Sequence, residues 1–297
     1  MTTTRIRSAL LTVVLLLATA PLFALDIGLS TWVGNFGFRP DRTSTDATFP
    51  GADYFWGIDA SATQTIADAF TFETGFTMDP ILRNTVYTLF TYNERILTVA
   101  VGPFFGVLNT DSTLLKSGIT TSITLQLPGV VFATFRSDSS IGSAMVVTGD
   151  YVQSRSDIAL GFYVPNAICT LSMSSKSFEL NGSSGDTTVD GLTEYAFSTN
   201  IFQKNVPYQL TVKFAYQTLS RSYVGATTSA STLNSIVIGT ELDVSLGGSW
   251  TLQAGIEGNV YSFGQGNLVG SDPNFLFRTF AGVRTSVDSL PGLSGLL

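Results

Sequence analysis

A period of two governs residues 235–262, and no other feature of the chain restricts its fold as much. Ile236, Ile238, Thr240, Leu242 and Val244 fall on one side of an extended backbone, and Val237, Gly239, Glu241, Asp243 and Ser245 on the other, because successive strand side chains point to opposite faces. Gly247 and Gly248 supply a turn. After it Trp250, Leu252, Ala254, Ile256 and Val260 share one face, and Thr251, Gln253, Gly255, Glu257 and Asn259 the other. That spacing belongs to strands and not to a helix of 3.6 residues per turn. A hairpin with one apolar and one polar face must cover the apolar face with protein or with lipid.

The same alternation recurs along the chain. Strands are predicted at residues 27–38, 54–61, 70–77, 84–92, 97–107, 118–126, 130–136, 145–153, 192–202, 208–216, 235–245, 250–260 and 275–287. Leu127-Pro128-Gly129 reads as a tight turn, since proline presets one turn dihedral and glycine accepts a positive φ. Ser154 to Asp157 reads as another short turn. Residues 158–180 are either one long strand bulged at Pro165-Asn166 or two strands, because proline removes a ladder donor. Counted as one, they bring the total to about 14 strands, with roughly 12 to 16 fitting the pattern.

Short connections near residues 65, 94, 128, 155, 205 and 247 alternate with longer polar loops. That alternation gives a sheet with one short-turn end and one long-loop end, as in barrels that cross a membrane. No segment has a helical period and no composition shift marks a boundary, so residues 25–288 read as one domain. Tyr54, Trp56, Phe70, Phe90, Tyr92, Tyr195, Tyr208, Trp250 and Phe275 are expected near strand ends, where aromatic rings border a bilayer.

Charge is scarce. Only 12% of the 297 residues are charged and 44% are hydrophobic, against about 25% charged in soluble domains. Residues 1–24 carry Arg5 and Arg7, an apolar run from Ala9 to Ala20 and then Pro21-Leu22-Phe23-Ala24. This pattern is that of a secretory signal peptide cleaved after Ala24; the run is shorter than the roughly 20 residues a membrane helix needs. Removing Arg5 and Arg7 leaves 13 of 15 basic residues against 22 acidic ones, a formal charge of −9. An acidic chain does not attract nucleic acid. The single Cys169 forms no internal disulfide and reads as a small structural side chain.

From residue 25 to about residue 288 the chain resembles the bacterial outer-membrane β-barrel class, and more loosely its mid-sized porins and channels. The resemblance implies an all-β, antiparallel up-and-down transmembrane barrel in the cell outer membrane of a diderm bacterium. Its surroundings would be outer-membrane lipid and lipopolysaccharide. Its partners in assembly would be periplasmic chaperones and the barrel-assembly machinery. Such barrels usually finish on an aromatic residue, whereas here a short tail, residues 289–297, follows the last strand.

Chemistry is limited by what the chain lacks. It has no histidine, so Ser or Asp has no imidazole base to activate it, and a His/Cys metal site cannot form. Loop carboxylates at Asp41, Asp46, Asp53 or Asp111 have no regular calcium-loop spacing. No enzyme activity, cofactor or metal is expected. The polar face remains. Alternation points Asp59, Glu73, Arg136, Asp150, Lys176, Glu194, Lys213, Glu241, Asp243, Glu257, Arg278 and Arg284 inward. Asp59, Glu73, Lys213, Glu241, Asp243, Glu257, Arg278 and Arg284 are the lumen and selectivity candidates, with Glu241, Asp243 and Glu257 set against Arg278 and Arg284 in a transverse field. The expected function is a passive channel for small polar solutes or ions, weakly preferring cations. Two alternatives are a transporter of apolar ligands, which the 22 Phe favour, and a closed surface barrel with a structural or adhesive role.

Overall fold

A computed structural model describes residues 25–36, 54–109, 113–140, 149–182, 185–225, 228–247, 249–265 and 275–287. The expected signal peptide, the tail at 289–297, the candidate calcium carboxylates Asp41, Asp46, Asp53 and Asp111, and Gly248 lie outside them. Fourteen strands follow the chain: β1 (Leu25–Gly34), β2 (Phe55–Ala67), β3 (Phe70–Asp79), β4 (Arg83–Asn93), β5 (Leu97–Asn109), β6 (Thr113–Leu127) and β7 (Val131–Ser140). The second half comprises β8 (Gly149–Val164), β9 (Ala167–Gly182), β10 (Thr187–Phe202), β11 (Tyr208–Val224), β12 (Thr228–Ser245), β13 (Trp250–Gln265) and β14 (Phe277–Val287). Each strand pairs antiparallel with its sequence neighbour, and β14 pairs with β1 to close the barrel. Closure leaves no strand edge unpaired.

Two expectations near the middle of the chain need correction, and they offset each other in the strand count. Ser154 to Asp157 is no turn: these residues run through β8, with Ser154 paired to Ser139 and Asp157 to Arg136. Arg155 and Asp157 form an ion pair at 2.5 Å on the inner face while Ser154 and Ser156 alternate to the outer one, so a polar run that suggested a turn is part of a strand. The turn falls instead at Pro165-Asn166, between the paired Val164 and Ala167. Proline presets the first turn dihedral and Asn166, at φ 60°, takes the left-handed one. Residues 158–180 therefore belong to two strands. Leu127-Pro128-Gly129 turns as read, with Gly129 at φ 74° and the Val130 amide donating to the Leu127 carbonyl at 3.0 Å.

The outer face is apolar around the ring. Leu29, Val101, Ile123, Leu160, Phe197, Phe214, Ile238 and Ile256 are all exposed there. Soluble monomers rarely expose a contiguous apolar surface that runs around the whole molecule; against lipid it is the expected wall. Aromatic side chains mark the rims. Phe70 and Tyr92 meet at a tilt with ring centres 5.2 Å apart beside the short-turn end, and Phe275 and Phe277 stack at 6.1 Å toward the other. Tyr195 departs from the expectation, since it sits in the middle of β10, paired with Tyr216 and Met173. Cys169 is on the outer face, its sulfur 3.8 Å from the Thr199 hydroxyl of β10.

On the inner face, aromatic rings lie flat over glycines of the adjoining strand. Trp32 covers Gly57 and donates its indole N–H to the Met78 carbonyl at 2.9 Å. Tyr87 covers Gly75 and donates to Glu73 at 2.8 Å. A Cβ at either glycine would collide with the ring, so only glycine lets the ring hug the wall. The variant Gly75→Leu should therefore destabilise the barrel by about 1–3 kcal/mol, the usual range for overpacking. Urea unfolding in lipid vesicles, followed by tryptophan emission, measures this; adding Tyr87→Ala should recover part of the loss.

Candidate functional site

Strand alternation carries the charged residues into the bore. Asp59, Glu73, Arg136, Lys176, Glu194, Lys213, Glu241, Asp243, Glu257, Arg278 and Arg284 all occupy inward positions, opposite the exposed apolar row of their strands. Asp150 lies in β8, and its side chain is outside the described residues.

One group forms a belt along the β10–β14 wall. Lys213 Nζ reaches Glu194 at 3.2 Å and Glu257 at 2.5 Å, and Arg278 stands 4.0 Å from the other oxygen of Glu257. Gln217 donates to Glu194 at 2.7 Å. Glu241 and Asp243 on β12 and Arg284 on β14 are partly exposed nearby. Because β12, β13 and β14 are adjacent, Glu241, Asp243, Glu257, Arg278 and Arg284 line one wall, and their field runs along it instead of across the bore. A smaller group lies on β2–β4 and β7, where Thr77 donates to Asp59 at 2.5 Å and the Arg136 guanidinium sits 5.9 Å from the Tyr87 ring centre.

The contacts that do cross the bore come from the connection between β3 and β4, residues 80–82. β3 and β4 have 10 and 11 residues, whereas β8 to β13 have 16 to 18. The pairs β3/β9 and β4/β10 are each six places apart in the ring of fourteen, so they face each other across the lumen. Asp79 Oδ1 accepts the amides of Ile81 and Leu82 at 2.8 and 2.9 Å, which shapes the turn. Its Oδ2 accepts from Lys176 Nζ of β9 at 2.6 Å. Arg83 donates to Asp190 of β10 at 3.1 Å, and Arg221 of β11 grips the same carboxylate in a fork at 2.6 and 2.8 Å. From β6, Lys116 Nζ donates to the Leu82 carbonyl, to Thr85 at 2.6 Å and to Gln153 at 2.5 Å.

Between these polar ties the turn inserts Ile81 and Leu82, only 1% and 3% exposed, into an apolar cluster with Phe36, Phe178, Leu219, Leu233, Val237 and Leu276. The bore is therefore filled at this level by a turn from one wall and side chains from the other. Burying Ile81 and Leu82 is worth about 1.5–3 kcal/mol each. The ion pairs add little net energy, because removing charges from water offsets most of their attraction. Arg83 also holds φ 65°, a left-handed backbone that costs a side-chain-bearing residue roughly 1–2 kcal/mol. The docked turn is thus favoured by a few kcal/mol and no more.

Sequence reading missed Asp79, Arg83, Lys116, Asp138, Asp190 and Arg221. Longer strands would have recovered all six, since each extends an inward row: Asp79 continues the series Glu73, Gly75, Thr77, and Arg221 continues Lys213, Ala215, Gln217, Leu219. That Asp79 meets Lys176 across 97 positions has no sequence signal. Removing the shared carboxylate gives a test of this network. Asp190→Asn removes the carboxylate that Arg83 and Arg221 share and should cost about 3–5 kcal/mol, whereas Arg83→Gln, which keeps the Arg221 fork, should cost clearly less; unfolding in detergent compares them.

No protein-family profile matches the chain, and no curated protein matches it in sequence. Among solved structures it superposes on the CymD monoaromatic hydrocarbon channel with TM-score 0.50 and 7% identity, covering 91% of this chain and 90% of that one. An outer-membrane channel from Pseudomonas putida F1 gives TM-score 0.50 and 10% identity over 90% of this chain and 97% of its own. The toluene transporter TbuX of Ralstonia pickettii gives 0.49 and 9% over 89% and 90%. At these identities the likeness is one of fold: the chain has the architecture of outer-membrane β-barrels.

Proposed function

We propose that this chain is a passive outer-membrane channel for small polar solutes or ions, and that it carries no catalytic step. The observation supporting this most is the closed barrel itself, with a continuous apolar exterior and an ion-paired, hydroxyl-rich interior. The turn formed by residues 80–82 fills the bore, so small solutes pass only when it yields, and mean conductance is low. Residues 1–24 direct export and are cleaved. The mature chain passes through periplasmic chaperones and the barrel-assembly machinery to the outer membrane of a diderm bacterium, among lipid and lipopolysaccharide. The fold likeness to two channels agrees with this reading.

Selectivity follows from the belt. Lys213 is neutralised between Glu194 and Glu257, while Glu241 and Asp243 form no ion pair within 4.0 Å among the described residues, which leaves the β12 wall acidic and favours cations weakly. An apolar ligand is the second reading, favoured by the cluster of Phe36, Phe178, Leu219, Leu233 and Leu276 inside the bore.

Planar-bilayer recording of refolded protein tests the proposal. Discrete conductance steps are expected, with a reversal potential in a KCl gradient displaced toward cations; Glu241→Gln with Glu257→Gln should abolish the displacement. A folded, inserted barrel that never conducts would refute the channel. Vesicle swelling separates the two readings, since sugars and amino acids pass a polar bore and leave an apolar one unused.

A further inference from the structure

We propose that the turn between β3 and β4 is a gate, which seals the bore when docked on the β9–β12 wall and opens it when released. This rests on the channel reading above and adds its regulation. The β3–β4 ladder is complete without docking: it runs from Phe70 opposite Tyr92 to Asp79 opposite Arg83. Release therefore breaks no backbone pairing.

Among the described residues, the ties to the far wall are made by side chains: the Asp79–Lys176 and Arg83–Asp190 ion pairs, the Arg83 guanidinium 5.8 Å from the Phe178 ring centre and the insertion of Ile81 and Leu82. Both sides stay largely satisfied once those ties break. Asp79 keeps the amides of Ile81 and Leu82, so the turn keeps its shape. Asp190 keeps the Arg221 fork, so no bare carboxylate is left in the wall. On the near side, Lys116 binds the Leu82 carbonyl and Thr85 and marks the pivot.

The left-handed backbone of Arg83, at φ 65°, belongs to the residue that makes one of the two ion-pair ties. Such strain persists where surrounding contacts hold it and is common in switching segments. A turn held in its docked position by side-chain contacts, with its backbone pairing and the Asp190–Arg221 pair independent of docking, has the make-up of a two-state element.

The test uses the full chain carrying Cys169→Ser, refolded into planar bilayers. Asp79→Asn with Arg83→Gln removes both cross-bore ion pairs, and open probability should rise roughly tenfold or more, one factor of ten for each 1.4 kcal/mol of docking lost. In a second chain, Leu82→Cys and Leu219→Cys are joined by a short, reducible bis-thiol reagent. Joining should hold conductance below that of the unjoined chain, and reduction should restore it. Equal conductance in the unmodified, double-variant and joined chains would leave the channel standing and overturn the gate. Silence in all of them, with heat-modifiable migration showing a folded barrel, would overturn the channel and the gate with it.

Discussion

Backbone hydrogen bonding is the constraint on which everything else in this structure depends. A strand facing hydrocarbon cannot leave an amide or carbonyl unpaired, since no water is present to satisfy it. The chain meets this by pairing β14 with β1, which turns a sheet into a ring without edges. Once the ring is closed, period-two alternation acquires a fixed meaning. One row of each strand must suit lipid, and the other is confined inside. Charge is scarce overall because only the inner row and the loops can carry it.

Confinement changes what the inner charges do. Along the β10–β14 wall Lys213, Glu257 and Arg278 neutralise one another within a partly exposed surface, where such pairs set a local field and contribute little to stability. Across the bore, Asp190 with Arg83 and Arg221 is nearly dry. There the Arg221 fork keeps the carboxylate paired whether or not Arg83 reaches it, so the network orients the docked turn while its net energy stays small. The apolar contacts of Ile81 and Leu82 provide the favourable part. The result is a bore closed by a modest free energy concentrated in a three-residue connection.

Much of this was legible from residue types. Alternation in 235–245 and 250–260 gave faces that the structure keeps as far as Asn259; a bulge opposite Ile236 and Val237 then puts Val260 and Tyr261 both outward. The short turn at Pro128-Gly129 was readable because its dihedrals are written in its residues. The polar run at Ser154 to Asp157 was misleading for a physical reason. In a soluble protein, consecutive Ser, Arg and Asp mark solvent, but in this barrel strand Arg155 and Asp157 turn to the lumen while the small Ser154 and Ser156 turn outward. Pro165-Asn166 was ambiguous because proline serves both bulges and turns, and only the pairing of Val164 with Ala167 decides between them.

The sequence by itself determined that the chain forms strands, how they alternate, and that the polar row carries charges of both signs, because these depend on neighbours two residues apart. Only the tertiary structure decided that the ring closes at fourteen strands and that residues 80–82 reach across it. Which walls face each other follows from closure, and the meeting of Asp79 with Lys176 and of Arg83 with Asp190 follows from facing walls. No local pattern encodes a contact between strands six places apart in a ring.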